Sequence, residues 1–217
     1  FEILLLAYAF GDEDVQVVDL AQGEDIPKPV IDAILDPAVT KSAFNAQFER
    51  VCLGAHLGRR LEPESWHCTM VHAWSLGLSG GLGHVAQALG LPQDKQKMFT
   101  GKNLIRIFSV PRKPSDANGH VSRYLPYHRP LDWELFRDYC IQDVVVEREL
   151  CKRLNTYPMP DKELQLYHLD QRINDYGVRL DPAFVRQAVA IDTACTEELT
   201  EELQTLTGLE NPNSPMQ

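Results

Sequence analysis

The chain contains no run of 18 apolar residues, no basic leader and no cleavage-like cluster of small residues, so nothing in it reads as a membrane span or a secretory signal. Its five cysteines, Cys52, Cys68, Cys140, Cys151 and Cys195, lack the close spacing of a disulfide framework. A reducing intracellular compartment fits that pattern. Positive charge is also scarce, with 21 Lys and Arg against 31 Asp and Glu and a formal net charge of -10. This balance argues against broad electrostatic adhesion to a phosphate backbone, while leaving room for an enzyme that meets a few nucleotides through bound metal. There is no initiating Met, and the chain reads as a fragment or a processed product.

What is present is ordinary for a globular protein: 217 residues, 44% apolar and 24% charged, enough for one domain and an appendage or for two small domains. Phe1 to Phe10 is almost wholly apolar and reads as a buried strand. Gly11 to Asp14 reads as a turn, and Val15 to Leu20 as a second strand paired antiparallel with the first. A short helix follows through Val30 and Ile34, its start delayed by Pro27 and Pro29. Val39 to Phe44 reads as a strand, and Asn45 to Leu57 as a helix with Asn45 as N-cap and Phe48, Cys52 and Leu53 turned to the sheet.

Glu64 to Cys68 reads as extended. Helices are expected over Thr69 to Leu76, from Ser79 or Gly80 to Leu89, and briefly over Leu104 to Phe108 within the loop-rich stretch from Gln93 to Pro130. A long helix covers Trp133 to Leu154. The texture changes near Pro158, and two further helices, Asp161 to Asp175 and Pro182 to Leu206, lead to a linker-like end from Gly208. We therefore expect one domain over residues 1–157 and a helical connector over 158–217.

The long helix carries the chemistry. Tyr139 and Asp143 lie four residues apart on one helical face, along the stripe of Phe136 and Leu150. A tyrosine one turn before a carboxylate can steer a water beside a metal. An acid on a buried stripe is costly unless a metal or hydrogen bonds compensate, although Asp143 at the solvated edge of the stripe is a sufficient bland reading. Glu49 sits in the first turn of its helix, where the helix N-terminus favours its charge and capping alone would explain it.

Asn45-Ala46-Gln47-Phe48-Glu49 resembles the second exonuclease motif of the proofreading DEDD superfamily, with Glu49 where Asp is usual. Tyr139-Cys140-Ile141-Gln142-Asp143 resembles the third. The order and separation of the two fit as well. Trp66 to Met70 looks like the segment between them, and Asp170 to Val178 resembles the lead into the polymerase region of phage-type family A DNA polymerases.

The resemblance implies a truncated, ribonuclease H-like, three-layer α/β fold with a mixed sheet, followed by helices toward an absent polymerase domain. It implies removal of nucleotides from a frayed 3′ end of DNA as 5′-monophosphates, with two Mg2+ or Mn2+ ions, in the cytoplasm of a bacterial cell that carries a phage or prophage. Glu49 and Asp143 would be metal ligands, Tyr139 would orient water, and Asn45 and Phe48 would meet the substrate; in that context the basic residues Lys102 and Arg106 would guide DNA to them. The family's first motif, Asp-x-Glu on the first strand, has no counterpart here, since Asp12-Glu13-Asp14 falls in a turn. The fragment alone is therefore expected to lack activity and its first central strand. The alternative is an inactive exonuclease-like scaffold that positions DNA or a neighbouring domain.

Two rival constellations compete. Cys52 with His56 and Cys68 with His72, near His67, suit a zinc reading, although apolar cysteines often serve as small core residues. Gly77 to Gly83 is glycine-rich but follows a predicted helix, so a helix-to-helix turn explains it better than a phosphate loop. Lys95, Lys97, Lys102, Arg106, Arg112, Lys113 and Arg123 concentrate positive charge in an acidic chain. Such a set either solvates a loop or guides DNA by phosphate contacts.

Overall fold

The computed structural model describes residues 2–91 and 101–214, and the chain divides into two compact units, Phe1–Ile173 and Asn174–Gln217. In the first unit, β1 (Leu5–Tyr8) and β2 (Gln16–Asp19) form the antiparallel pair expected from their short connection, with Leu5 opposite Asp19. Among the described residues of the apolar run up to Phe10, Leu5–Tyr8 is strand, and it is half-buried rather than buried. Helix α1 (Lys28–Leu35) starts late because Pro27 and Pro29 lack the N–H a helix interior needs. A βαβ arrangement follows: β3 (Lys41–Ala43), α2 (Ala46–His56) and β4 (Trp66–Cys68), with β4 parallel to β3 and Lys41 opposite Trp66.

Among the described residues the strands form two separate two-stranded sheets, one antiparallel and one parallel. The single mixed sheet expected from the sequence is not formed, because no described strand pairs with members of both. The architecture is mixed α/β, two small sheets followed by helices. Helices α3 (Thr69–Ser75) and α4 (Leu82–Ala88) are joined by the glycine-rich turn, where Gly77 and Gly80 take φ of 78° and 109°, backbone that a side chain would strain.

Helices α5 (Gly101–Ser109) and α6 (Pro130–Leu154) organise the rest of the unit. Pro130 opens α6 three residues before the expected start, since proline is tolerated in a first turn. Helix α6 lies against both sheets and against α3, α4 and α5. Its first half buries Trp133, Phe136 and Tyr139 against Leu104 and Phe108 of α5. The Phe108 ring meets Trp133 edge-on at 4.8 Å and stacks on Phe136 at 5.4 Å. Its second half buries Val146, Leu150 and Leu154 beside Ala73 and Val85. Each such side chain contributes about 1.5 to 3 kcal/mol through removal from water.

A buried acid ties β2 to α6. Asp19, 1% exposed, accepts hydrogen bonds from the Trp133 indole N–H at 2.7 Å and from the Gln22 side-chain amide at 2.7 Å. The indole and amide donors satisfy a carboxylate whose isolation would be costly.

Helix α7 (Asp161–Tyr176) begins where the sequence texture changes, and the first compact unit extends along it to Ile173. Tyr167 and Gln171 are buried, and the guanidinium of Arg50 donates to the Leu61 carbonyl at 2.8 Å and to Gln171 at 3.3 Å. In the second unit, α8 (Pro182–Thr207) is capped by Asp181, whose carboxylate accepts from the Ala183 and Phe184 N–H groups at 2.9 and 3.3 Å. No described helix is long and apolar enough to cross a membrane.

Candidate active site

Three carboxylates, Glu49 on α2 and Asp143 and Glu147 on α6, lie within electrostatic reach, the two on α6 acting on Glu49. On α2 the buried positions are Ala46, Arg50, Leu53 and Gly54, which places Glu49 at the rim of the buried stripe and Phe48 on the opposite side. Phe48 is accordingly 63% exposed, a correction to its expected place against the sheet. Asn45 stands at the N-cap position but makes no side-chain capping hydrogen bond, a second correction. Its backbone is left-handed, φ 75° and ψ 49°, away from the extended conformation from which a capping side chain reaches back to the helix. The first turn is closed instead by the Phe48 N–H donating to the Asn45 carbonyl at 2.8 Å, and the Asn45 side chain remains exposed.

On α6, the burial stripe passes from the aromatic half to the aliphatic half through Asp143 and Glu147. The Tyr139 hydroxyl donates to Asp143, and burial, followed by that carboxylate, pushes the Tyr139 hydroxyl well above the usual phenol range. Glu49 lies close enough to Asp143 and Glu147 for their charges to act on it. Burial first, then Glu147 and Asp143, raises its carboxyl from 4.5 to about 7, against the pull of its own backbone N–H. One oxygen of Glu49, Oε2, is buried with no hydrogen-bond partner. The Cys140 thiol packs toward Ala7 of β1, and burial pushes it up to about 11.

Glu147 is absent from the sequence reading. It is 9% exposed and accepts hydrogen bonds through Oε1 from Ser42 at 2.7 Å and from Thr69. These bonds fasten α6 to β3 and to the start of α3. Burial raises its carboxyl above the ordinary glutamate value, although both hydroxyls oppose this. Its spacing of four from Asp143, beside the apolar Val146 and Leu150, is the signal that could have found it. Replacing Glu147 by Ala leaves the buried Thr69 hydroxyl without this acceptor, and the expected cost is about 2 kcal/mol. Urea unfolding should register it as a lower midpoint, with Glu147→Gln affected less because an acceptor carbonyl remains.

The other candidates fall in different places. Lys102 and Arg106 lie on the exposed face of α5, opposite the face that holds Leu104 and Phe108. Arg123 is paired with Glu2 at 2.6 Å. The guanidinium groups of Arg112 and Arg129 lie over the Tyr124 ring, at 5.0 and 5.7 Å, and the exposed Tyr127 ring rests on His128 at 4.1 Å. Lys95 and Lys97 lie outside the described residues.

The zinc constellation does not assemble. His72 is engaged with the Tyr157 carbonyl at 2.8 Å, Cys68 is buried beside the Tyr167 hydroxyl, and no three His, Cys, Asp or Glu side chains among the described residues converge to hold an ion. The same statement applies to the acidic group. What Glu49 and Asp143 do supply is hard oxygen donors, one of them an orphaned buried atom, and mutual repulsion that a cation would relieve. That donor chemistry fits Mg2+ or Mn2+ as part of a larger ligand set and does not suit a soft thiophilic metal.

No protein-family model matches the chain, and no solved structure matches it. Over all 217 residues it is 50% identical to a protein described as the DNA polymerase of Bacillus phage SP02, of which it spans 33%. The chain is thus homologous to about a third of a phage DNA polymerase.

Proposed function

We propose that this chain is the 3′-5′ exonuclease portion of a family A DNA polymerase, a ribonuclease H-like domain over residues 1–157 followed by a helical connector over 158–217 toward the polymerase region. The observation that supports the reading is that the charges of Asp143 and Glu147 reach Glu49, far from them in sequence, while the Tyr139 hydroxyl donates to Asp143. Like charges in a partly dry site repel, and a bound cation would relieve that repulsion.

In this reading Glu49 and Asp143 are the ligands this chain contributes to a pair of Mg2+ or Mn2+ ions, which when bound activate water and stabilise the leaving oxygen. Tyr139, held by Asp143, orients the attacking water. Phe48, exposed one residue before Glu49, offers a face on which a base of a frayed 3′ end can stack, and Asn45 an amide beside it. Lys102 and Arg106 face solvent on the helix that packs against Tyr139, where they can meet phosphate oxygens without reading sequence. The surface rings and guanidinium groups of Arg112, Tyr124, Tyr127 and Arg129 suit the strand further from its end.

A second reading is an exonuclease-like scaffold without catalysis, since among the described residues no three His, Cys, Asp or Glu side chains, Glu147 included, are placed to hold an ion. A divalent-ion titration of the complete gene product with an end-labelled single-stranded oligonucleotide separates the two. Stepwise 3′ shortening with release of nucleoside 5′-monophosphates is the expected result. DNA binding without cation binding or trimming would establish the scaffold instead.

A further inference from the structure

We infer that Gly101 is a positioning residue for Tyr139: its missing side chain leaves the space in which the tyrosine ring lies while the hydroxyl reaches Asp143. The inference rests on the proposed role of Tyr139 and adds a determinant on a different helix. A Cβ built on Gly101 would fall 2.0 Å from Cε2, 2.4 Å from Cδ2 and 2.5 Å from Cζ of Tyr139. No real Cβ tolerates such approaches, so one of the two groups must move.

The ring has little room to move. Tyr139 is 5% exposed, its ring lies nearly parallel to Phe136 at 8° and 6.3 Å between centroids, and Phe136 is itself stacked on Phe108 of α5. Helix α5 therefore grips α6 at two points: Phe108 fixes the aromatic stack at one end, and the bare α-carbon of Gly101 fixes the tyrosine at the other. Gly101 is not required by its backbone, because its φ lies outside the left-handed region where side chains are strained. Neither does its place as the first residue of α5 call for glycine. The ring space explains why this position is nevertheless glycine.

Displacing the ring by an ångström or so carries the hydroxyl with it, away from the Asp143 carboxylate. A shift of that size at a group that orients a reactant costs about a hundredfold in rate, with substrate binding, which falls to other residues, little changed. Positioning of this kind differs from simple core packing in a measurable way, since it predicts a loss in kcat at nearly constant KM.

The test combines a double-mutant cycle on the full chain, free of metal, with kinetics on the complete gene product. Gly101→Ala should lower the melting temperature by several degrees in the parent chain and leave it unchanged or raise it in a Tyr139→Leu background, where the ring is gone. An Ala variant that folds only in that background supports the inference equally; equal losses in both backgrounds would overturn it. In the metal-free chain with 13C-labelled tyrosine, the Tyr139 ring resonance, identified by its loss in Tyr139→Phe, should shift on Gly101→Ala more than those of the other tyrosines. In trimming assays Gly101→Ala should lower kcat about a hundredfold with KM within about twofold. Full trimming by Gly101→Ala when Tyr139→Phe is impaired defeats this inference alone. Full trimming by Tyr139→Phe defeats the role assigned to Tyr139, whatever the melting cycle gives.

Discussion

Asp143→Asn is expected to reduce 3′ trimming by the complete gene product about a thousandfold, equivalent to ~4 kcal/mol of transition-state stabilisation, while leaving the fold intact. Asn keeps the size of the side chain and one carbonyl acceptor for the Tyr139 hydroxyl, so the aromatic stack of Phe108, Phe136 and Tyr139 is undisturbed. What it removes is a negative charge at the point where a divalent ion would be neutralised. The loss should appear in kcat and should not be recovered by raising the oligonucleotide concentration. Trimming within about tenfold of the parent protein would remove Asp143 from the proposed metal set, and with it the exonuclease reading of this constellation.

Glu49→Gln is expected to stabilise the metal-free chain, with the gain growing as pH rises. In the fold Glu49 gives up its proton at about 7, whereas in the unfolded chain it does so at 4.5, because burial and then the neighbouring acids Glu147 and Asp143 disfavour its charge. Below pH 4.5 both states hold the proton, and the residue contributes no pH dependence. Between 4.5 and 7 the unfolded state has lost its proton while the folded state retains it, so stability falls as pH rises. Above 7 both are ionised and the full penalty is felt, on the order of 3 kcal/mol for a shift of this size.

Glutamine has no such transition. Thermal unfolding in chelator at pH 8 should therefore show a Tm higher by roughly 10 °C for the variant, with nearly equal values at pH 4. Added Mg2+ at pH 8 should raise the Tm of the parent chain more than that of the variant, since an ion bound to the folded state alone shifts the equilibrium by mass action. Identical pH slopes for the two proteins would contradict the burial of Glu49 that raises its carboxyl.

Much of the local structure was legible from residue order. The prolines delay α1, the short connection makes β1 and β2 antiparallel, and the apolar period of α6 runs within three residues of its observed start. These features depend on interactions along a few turns of chain. The pairing of Tyr139 with Asp143 belongs to the same class, since a spacing of four on a helix brings side chains together without help from elsewhere.

The rest could not be read locally. Asn45 has the identity of a cap yet adopts left-handed backbone without the capping bond, and Phe48 faces solvent because Ala46, Arg50 and Leu53 define the buried side of α2. The separation of the strands into two pairs depends on which strands find neighbours, a property that no single segment carries.

The sequence by itself determined the helices, the hairpin, the acidic charge balance and the one-turn spacing of Tyr139 and Asp143, because each follows from backbone geometry and near-neighbour chemistry. Only the tertiary structure decided that burial raises the Glu49 carboxyl, that Glu147 is held by the hydroxyls of Ser42 and Thr69, and that Gly101 leaves room for the Tyr139 ring. Those contacts join segments far apart in the chain. Their energies depend on burial and mutual approach, quantities that exist only once the helices have packed.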